Sequence, residues 1–130
     1  MASIDNRPLR VAVATSDGVH VDLHFGRASA FRIYEIRNKI AVFLESRETG
    51  SLCGELGHDN EQLKKVAIAL EDCRFIVSVQ VGQPISQVLE PTGFTFLNSE
   101  GEVSDMLGRI ARSPLAQHIH RKAQHAAVKG

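Results

Sequence analysis

The chain has 130 residues, of which 43% are hydrophobic and 23% are charged. These values are typical of a single packed domain and argue against collagen-like, disordered and coiled-coil proteins. Its 15 basic residues balance 15 acidic ones, so the net charge gives no general attraction to nucleic acid or anionic lipid. The balance hides an uneven distribution, because residues 106–130 contain five lysines and arginines and no carboxylate.

No secretory or transit signal is visible, and no apolar run is long enough to span a membrane. Two cysteines, Cys53 and Cys73, are more typical of buried, reactive or metal-bound thiols in a reducing compartment than of a structural disulfide. We therefore expect a cytoplasmic protein without nucleic-acid or membrane partners.

One domain is expected over residues 9–112, followed by a basic, histidine-containing tail at 113–130. The weak apolar periodicity of this tail predicts fraying or disorder. Its histidines, His118, His120 and His125, are candidate metal ligands, although solvated histidines are more typical of such a segment.

The first third of the chain alternates apolar and polar residues as β-strands do. A strand is predicted at 9–14, a tight turn at 16–18, and a returning strand at 19–23. A second hairpin is predicted from strands at 31–36 and 40–44. Three to four antiparallel strands follow from this pattern.

Beyond residue 44, helices and strands alternate. The predicted elements are a glycine-containing loop at 46–57, a helix at 60–72, a strand at 75–81, a helix from Pro84 to about Pro91, a strand at 94–97 and a helix stripe at 103–110. Capping boxes at Asp59/Gln62 and Ser99/Glu102 indicate the starts of two of the helices. The order βββ(β)αβαβα predicts an α/β fold with a mixed five-stranded sheet, antiparallel in its N-terminal part, and helices on its faces.

His24 is the first candidate metal ligand. It lies at the end of the predicted returning strand, and Gly26 allows the backbone to turn and present the imidazole beside the Arg27 guanidinium. The alternative interpretation is a surface histidine on the polar face of a half-exposed strand.

Cys53 and His58 are further candidates, because they bracket a glycine-containing loop that leads into a helix start. Thiolate and imidazole are ligands that iron and zinc prefer, and a helix start favours thiolates and anions. Two ligands are fewer than the four that a structural zinc site requires. Cys73, between a helix and a buried strand, is more typical of a small apolar core residue.

Other catalytic templates have little support, since glycine-rich phosphate-binding motifs and a nucleophile-elbow motif are absent from the sequence. Four carboxylates, Asp17, Asp22, Glu35 and Asp72, could form a magnesium site for phosphodiester hydrolysis if the fold assembled them. Three of the four lie at turns or element ends, where carboxylates commonly serve as caps or are solvated.

Three segments, 11–18, 21–27 and 31–36, closely resemble the opening of the NifX/NifY/NafY family, the dinitrogenase iron–molybdenum-cofactor biosynthesis domain that is also found at the carboxyl end of NifB. The combination of Ser-Asp-Gly with Asp-Leu-His-Phe-Gly is the specific part of this resemblance. The segments at 70–73 and 89–94 are similar to the family as well, so the resemblance covers about 9–110.

The resemblance implies a ribonuclease-H-like, three-layer fold without catalytic activity. It implies a carrier that transiently binds an iron–sulfur precursor of the NifB-cofactor type, or the finished FeMo-cofactor, and works with nitrogenase assembly proteins or apo-dinitrogenase. His24 is then the leading ligand, Arg27 supplies positive charge beside it, and Cys53, His58 and Cys73 are secondary candidates. A monomer or weak homodimer is expected.

Two other functions remain open at this point. One is a metal-free module that binds apo-dinitrogenase or a regulatory partner. The other is a metal-dependent nuclease that uses the four carboxylates.

Overall fold

The computed structural model describes residues 9–52 and 60–113. Eight regular elements follow in chain order: β1 (Leu9–Val13), β2 (Ala30–Arg37), β3 (Ile40–Glu48), α1 (Asn60–Ala69), β4 (Phe75–Ser78), α2 (Gln83–Leu89), β5 (Thr95–Asn98) and α3 (Val103–Arg112). Short 3₁₀ turns occur at Phe25–Arg27 and Glu90–Thr92. None of the helices described is long and apolar enough to cross a membrane.

The strands form one mixed sheet in the order β3-β2-β1-β4-β5. The central strand of the N-terminal part, β2, is antiparallel to both of its neighbours, β1 and β3, whereas β4 pairs parallel with β1 and β5 pairs parallel with β4. The predicted five-stranded mixed sheet with an antiparallel N-terminal part is therefore confirmed.

The hairpin between β2 and β3 is confirmed, and β3 continues to Glu48, further than predicted. Its two turn residues, Asn38 and Lys39, have φ values of 51° and 67°. Positive φ at both positions is the geometry that matches the right-handed twist of the two strands. Consequently, the loop predicted to begin at residue 46 begins only after Glu48.

The returning strand predicted at 19–23 is wrong. β1 is already flanked by β2 on one side and β4 on the other, so the sheet has no place for a hairpin partner beside it. Residues 14–24 instead cross the end of the sheet, and their one isolated bridge pairs His20 with Glu102. The alternation arises because Val21 is buried while Asp22 and His24 are exposed.

Several element ends also differ from the prediction. α1 ends at Ala69 rather than near residue 72, and β4 ends at Ser78. The capping box at Ser99 is wrong: Glu102 is the N-cap of α3, and the Ser99 hydroxyl accepts a hydrogen bond from the Gly101 N–H. The other predicted cap, Asp59, lies outside the described residues, as do residues 114–130 of the predicted tail.

Helices cover both faces of the sheet, which gives three layers. Cluster A, on the α1 and α2 face, contains Ala12, Ala14, Phe25, Ala28, Phe31, Ile33, Leu52, Leu63, Val66, Leu70, Cys73, Ile76, Ile85, Leu89 and Phe94. Cluster B, on the α3 face, contains Leu9, Val11, Val13, Val21, Tyr34, Ile36, Phe75, Val77, Val103, Leu107, Ile110 and Ala111. Alternate residues of β1 and β4 contribute to opposite clusters, as expected of strands buried on both faces.

An ion-pair network joins the sheet to the end of α1. Arg10 bonds to Glu35 on β2 and to Asp72, and Arg47 on β3 bonds to both oxygens of Asp72 at 2.6 and 2.9 Å. Hydrogen bonds from Arg47 and then Arg10 hold the pKa of Asp72 well below its usual range. The Asp72 carboxylate therefore stabilises the folded state in its charged form.

We expect Asp72→Asn to lower the free energy of unfolding at pH 7 by about 1–2 kcal/mol, after allowance for solvent screening of a partly exposed group. Because the folded-state pKa is depressed, the carboxylate stabilises the protein above its unfolded pKa of about 3.9, and this contribution is lost as pH falls through the folded pKa. Urea denaturation between about pH 3 and pH 7 should therefore give a shallower acid slope for the variant.

The matched control is Asp105→Asn, which removes an exposed ion pair with Arg109 on α3. This control should change stability by less than about 0.5 kcal/mol. Parallel acid slopes for the wild type and Asp72→Asn would contradict the role given to the network.

Candidate functional site

The loops of interest meet at one end of the sheet, which we call the carboxyl edge because β1, β4 and β5 all end there. The isolated bridge of His20 with Glu102 places the start of α3 at this edge. α2 begins after Gly82, four residues beyond the end of β4. In the first turn of α1, the Gln62 amide donates to the Thr49 carbonyl at 2.6 Å, just after β3. All three helices therefore begin at this edge.

Helix starts carry partial positive charge, because their first N–H groups have no partner within the helix. In open α/β sheets, ligands generally bind beyond the carboxyl ends of the parallel strands. Both arguments make the carboxyl edge the candidate ligand site of the described residues, and the helix starts there also carry carboxylates, Glu61 on α1 and Glu102 and Asp105 on α3.

His24 lies at this edge, but on a 3₁₀ turn and not at the end of a strand as predicted. We call residues 24–27 the His24 turn. The His24 carbonyl accepts hydrogen bonds from Arg27 at 3.0 Å and Ala28 at 3.2 Å, which close the turn. His24 and Arg27 are both exposed, whereas Phe25 between them is 1% exposed.

Two backbone hydrogen bonds attach the turn to the chain that follows β4. The Phe25 N–H donates to the Gln80 carbonyl, and the Val79 N–H donates to the Leu23 carbonyl, both at 2.9 Å. The Phe25 ring also packs against Phe31 and Phe96, with centroids 5.5 and 5.4 Å away. The backbone that carries the exposed histidine is therefore fixed by hydrogen bonds to the chain after β4 and by packing of the Phe25 ring in the core.

A third contact joins the turn to the chain that follows β3. The Gly26 carbonyl accepts hydrogen bonds from the Leu52 N–H at 2.9 Å and from the Ser51 hydroxyl at 3.0 Å. Gly50, with a φ of +80°, makes the bend that leads to these residues. No sequence motif indicates this contact, because Gly26 and Ser51 are 25 residues apart.

Cys53 and His58, the two other predicted metal ligands, lie outside the described residues. The chain on either side of them is described. Leu52 is bonded to Gly26 of the His24 turn, and Gln62 is bonded to Thr49. Both flanking segments are therefore anchored at the carboxyl edge.

Cys73 is not brought near the His24 turn. It is 3% exposed, belongs to cluster A and precedes β4, whereas the turn is bonded to the chain after β4. Burial raises the pKa of its thiol to about 12, which suppresses the thiolate that would bind a metal.

The four carboxylates proposed for a nuclease site are separated into two pairs. Asp17 accepts bonds from the backbone N–H groups of His20 and Val19, which lower its pKa, and Asp22 bonds to Ser16. The other pair, Glu35 and Asp72, is held by arginines in the network around Arg10. Within residues 9–52 and 60–113, no group of three or more histidine, cysteine or acidic side chains could hold a metal ion.

The basic end of α3 is not at the carboxyl edge. The helix begins beside His20 and spans about 15 Å over its ten residues, so its last-turn arginines, Arg109 and Arg112, lie toward the opposite end. These two arginines are therefore not placed to supply positive charge near His24.

The described residues define a three-layer α/β domain with a mixed sheet and an exposed histidine turn at its carboxyl edge. The family model for dinitrogenase iron–molybdenum cofactor matches residues 7–113. The chain belongs to this family, which confirms the family expected from the sequence motifs.

Curated relatives carry two names. Protein NifX of Rhodobacter capsulatus is 32% identical over 81 residues, which cover 60% of this chain and 51% of that protein. FeMo cofactor biosynthesis protein NifB of Chlorobaculum tepidum is 24% identical over 127 residues, which cover 96% of this chain and 29% of that protein. The chain thus spans about half the length of this NifX and less than a third of this NifB.

Among solved structures, the crystal structure of PH0822 is similar, with a TM-score of 0.59 and 17% sequence identity. The match covers 79% of this chain and 89% of that one. At this identity the likeness concerns the fold alone.

We expect the Cys73 thiol to resist alkylation by iodoacetamide at pH 8, because it is buried and its pKa is raised to about 12. Site-resolved mass spectrometry should show at least a roughly tenfold rate increase on adding a denaturing concentration of urea. Equal Cys73 labelling rates in native and denatured protein would contradict its placement in cluster A.

Proposed function

We propose that the chain is a non-catalytic carrier that binds an iron–sulfur precursor of the NifB-cofactor type, or FeMo-cofactor, as transient cargo. The observation that carries this proposal is the exposed His24 on a turn fixed at the carboxyl edge by Gln80, Leu52 and the buried Phe25 ring. Such a turn presents one imidazole to a ligand without burying that ligand.

The electrostatics of the edge support an anionic cargo. Arg27 is exposed on the same turn as His24 and supplies a positive charge beside it. The acidic residues of the 14–24 segment, Asp17 and Asp22, are engaged in hydrogen bonds within their own loop. A metal–sulfur cluster with net negative charge matches this distribution.

Sparse ligation suits a carrier, because a cluster held by many protein ligands is released slowly. We propose His24 as the principal ligand and Cys53 and His58 as additional, exchangeable ligands. Imidazole and thiolate are suitable donors to iron. The anchored segments that flank Cys53 and His58 support this assignment, and Cys73 is left out of the ligand set.

The names of the relatives support the biological setting. Because the similar proteins are called NifX and FeMo cofactor biosynthesis protein NifB, we propose nitrogenase assembly proteins or apo-dinitrogenase in the cytoplasm as partners. The sheet order β3-β2-β1-β4-β5 within three layers also supports the finer, ribonuclease-H-like classification of the fold.

We expect His24→Ala to weaken binding of isolated FeMo-cofactor by about tenfold or more, since it removes a metal ligand. Anaerobic titration of the purified full chain measures this change. The matched control is His20→Ala on the same segment, where the ring of His20 faces Asp17 at 3.3 Å. Binding in this control should stay within about twofold of the wild type.

Circular dichroism should show that both variants remain folded, because both histidines are exposed. Unchanged cofactor affinity in His24→Ala would contradict the carrier site. It would favour the alternative of a metal-free module that binds a partner protein.

Arg27→Gln should weaken cofactor binding by about two- to fivefold at low salt, because it removes one exposed positive charge. The difference from the wild type should shrink between about 0.05 and 0.5 M NaCl as screening increases. The comparison variant Arg112→Gln, at the far end of α3, should behave as the wild type. An equal loss in both arginine variants would show that only the total charge matters.

A further inference from the structure

The outer edge of the sheet at β3 carries an inference that goes beyond cargo binding. Within the described ranges, β3 pairs with β2 on one side and with no strand on the other. It is nine residues long, and its Ile40 and Phe43 side chains are 64% and 45% exposed. A long edge strand with exposed apolar side chains is a template for pairing with another strand.

Pairing with β2 determines which β3 side chains share a face. A register shift between Ile33 and Tyr34 leaves Leu44 as an extra residue in β3. As a result, one face of β3 carries Ile40, Val42, Glu45 and Arg47, and the other carries Ala41, Phe43, Ser46 and Glu48.

We propose that β3 is a self-association surface, on which it pairs antiparallel with β3 of a second copy of the chain about a two-fold axis. Paired residues of an antiparallel sheet lie on the same face. This condition is met when Ile40 lies opposite Arg47 of the second copy and Val42 lies opposite Glu45 of the second copy. In this register, residues 40–42 of each copy pair with residues 45–47 of the other. The result is one ten-stranded sheet.

Charge complementarity selects this register. It places Lys39 beside Glu48 of the second copy, twice in each dimer. A second register, with Ala41 opposite Glu48 of the second copy, also keeps the faces continuous but gives Lys39 no opposite charge. Self-complementary contact between identical patches is what a two-fold interface requires.

The dimer leaves the two His24 turns apart. A two-fold axis perpendicular to the sheet reverses the strand direction in the second copy, so the two carboxyl edges face opposite ends of the dimer. Cargo binding at His24 and self-association at β3 therefore vary independently, and the failure of either is distinguishable from the failure of the other.

The first test is sedimentation equilibrium of the full chain between about 5 and 500 µM, a range suited to a small interface. We expect a monomer–dimer equilibrium that Ile40→Lys weakens by about tenfold or more. The matched control is Val88→Lys on α2, because Val88 is 56% exposed and α2 connects β4 to β5 at the opposite edge of the sheet. The control should dimerise like the wild type.

A charge exchange tests the register. Lys39→Glu and Glu48→Lys should each raise the dimer dissociation constant about three- to tenfold, and the double variant should return it to within about twofold of the wild type. Within one chain these residues are separated by roughly 30 Å of strand. Rescue in the double variant can therefore arise only between two copies.

Three results would overturn the proposal. One is a monomer throughout the concentration range. This includes the case in which another segment of the same chain pairs with β3 and protects its outer amides from hydrogen exchange. Another is equal weakening by Ile40→Lys and Val88→Lys. The third is a double charge variant whose dimer dissociation constant is no lower than those of the two single variants.

Discussion

The position of His24 depends on the burial of the next residue, Phe25. The Phe25 ring lies in cluster A against Phe31 and Phe96, and its N–H is bonded to the Gln80 carbonyl. Burial of an aromatic ring is worth several kcal/mol, whereas an exposed imidazole contributes little to folding. The fold therefore fixes the backbone of the turn and leaves the histidine side chain available for a ligand.

Local patterns in the sequence are sufficient to predict an element whose formation depends mainly on its own residues. The β2–β3 hairpin and the apolar stripe of α3 were predicted because alternation and helical spacing directly reflect burial. The strand predicted at 19–23 failed because alternation reports only which side chains are buried. Strand formation also needs a vacant neighbouring position, and β2 and β4 already occupy both sides of β1.

The candidate site was predictable in part. The motif around His24 indicates a candidate ligand, and the structure exposes this side chain at the carboxyl edge, whereas the edge itself depends on the strand order of the sheet. Long-range contacts such as that of Leu52 with Gly26 cannot be predicted from a single sequence, because the two residues lie far apart along the chain and no motif links them. The sequence allows Cys73 to be either a cofactor ligand or a small apolar core residue. Its burial in cluster A assigns it to the core.

The central claim is that His24 binds the metal of the cargo through its imidazole. The most direct test is pulsed electron paramagnetic resonance on protein labelled with ¹⁵N-histidine and loaded with isolated FeMo-cofactor in a paramagnetic state. The account predicts a histidine-nitrogen hyperfine coupling that disappears in His24→Gln and persists in His20→Gln. The same coupling in both variants, or none in the wild type, would contradict it.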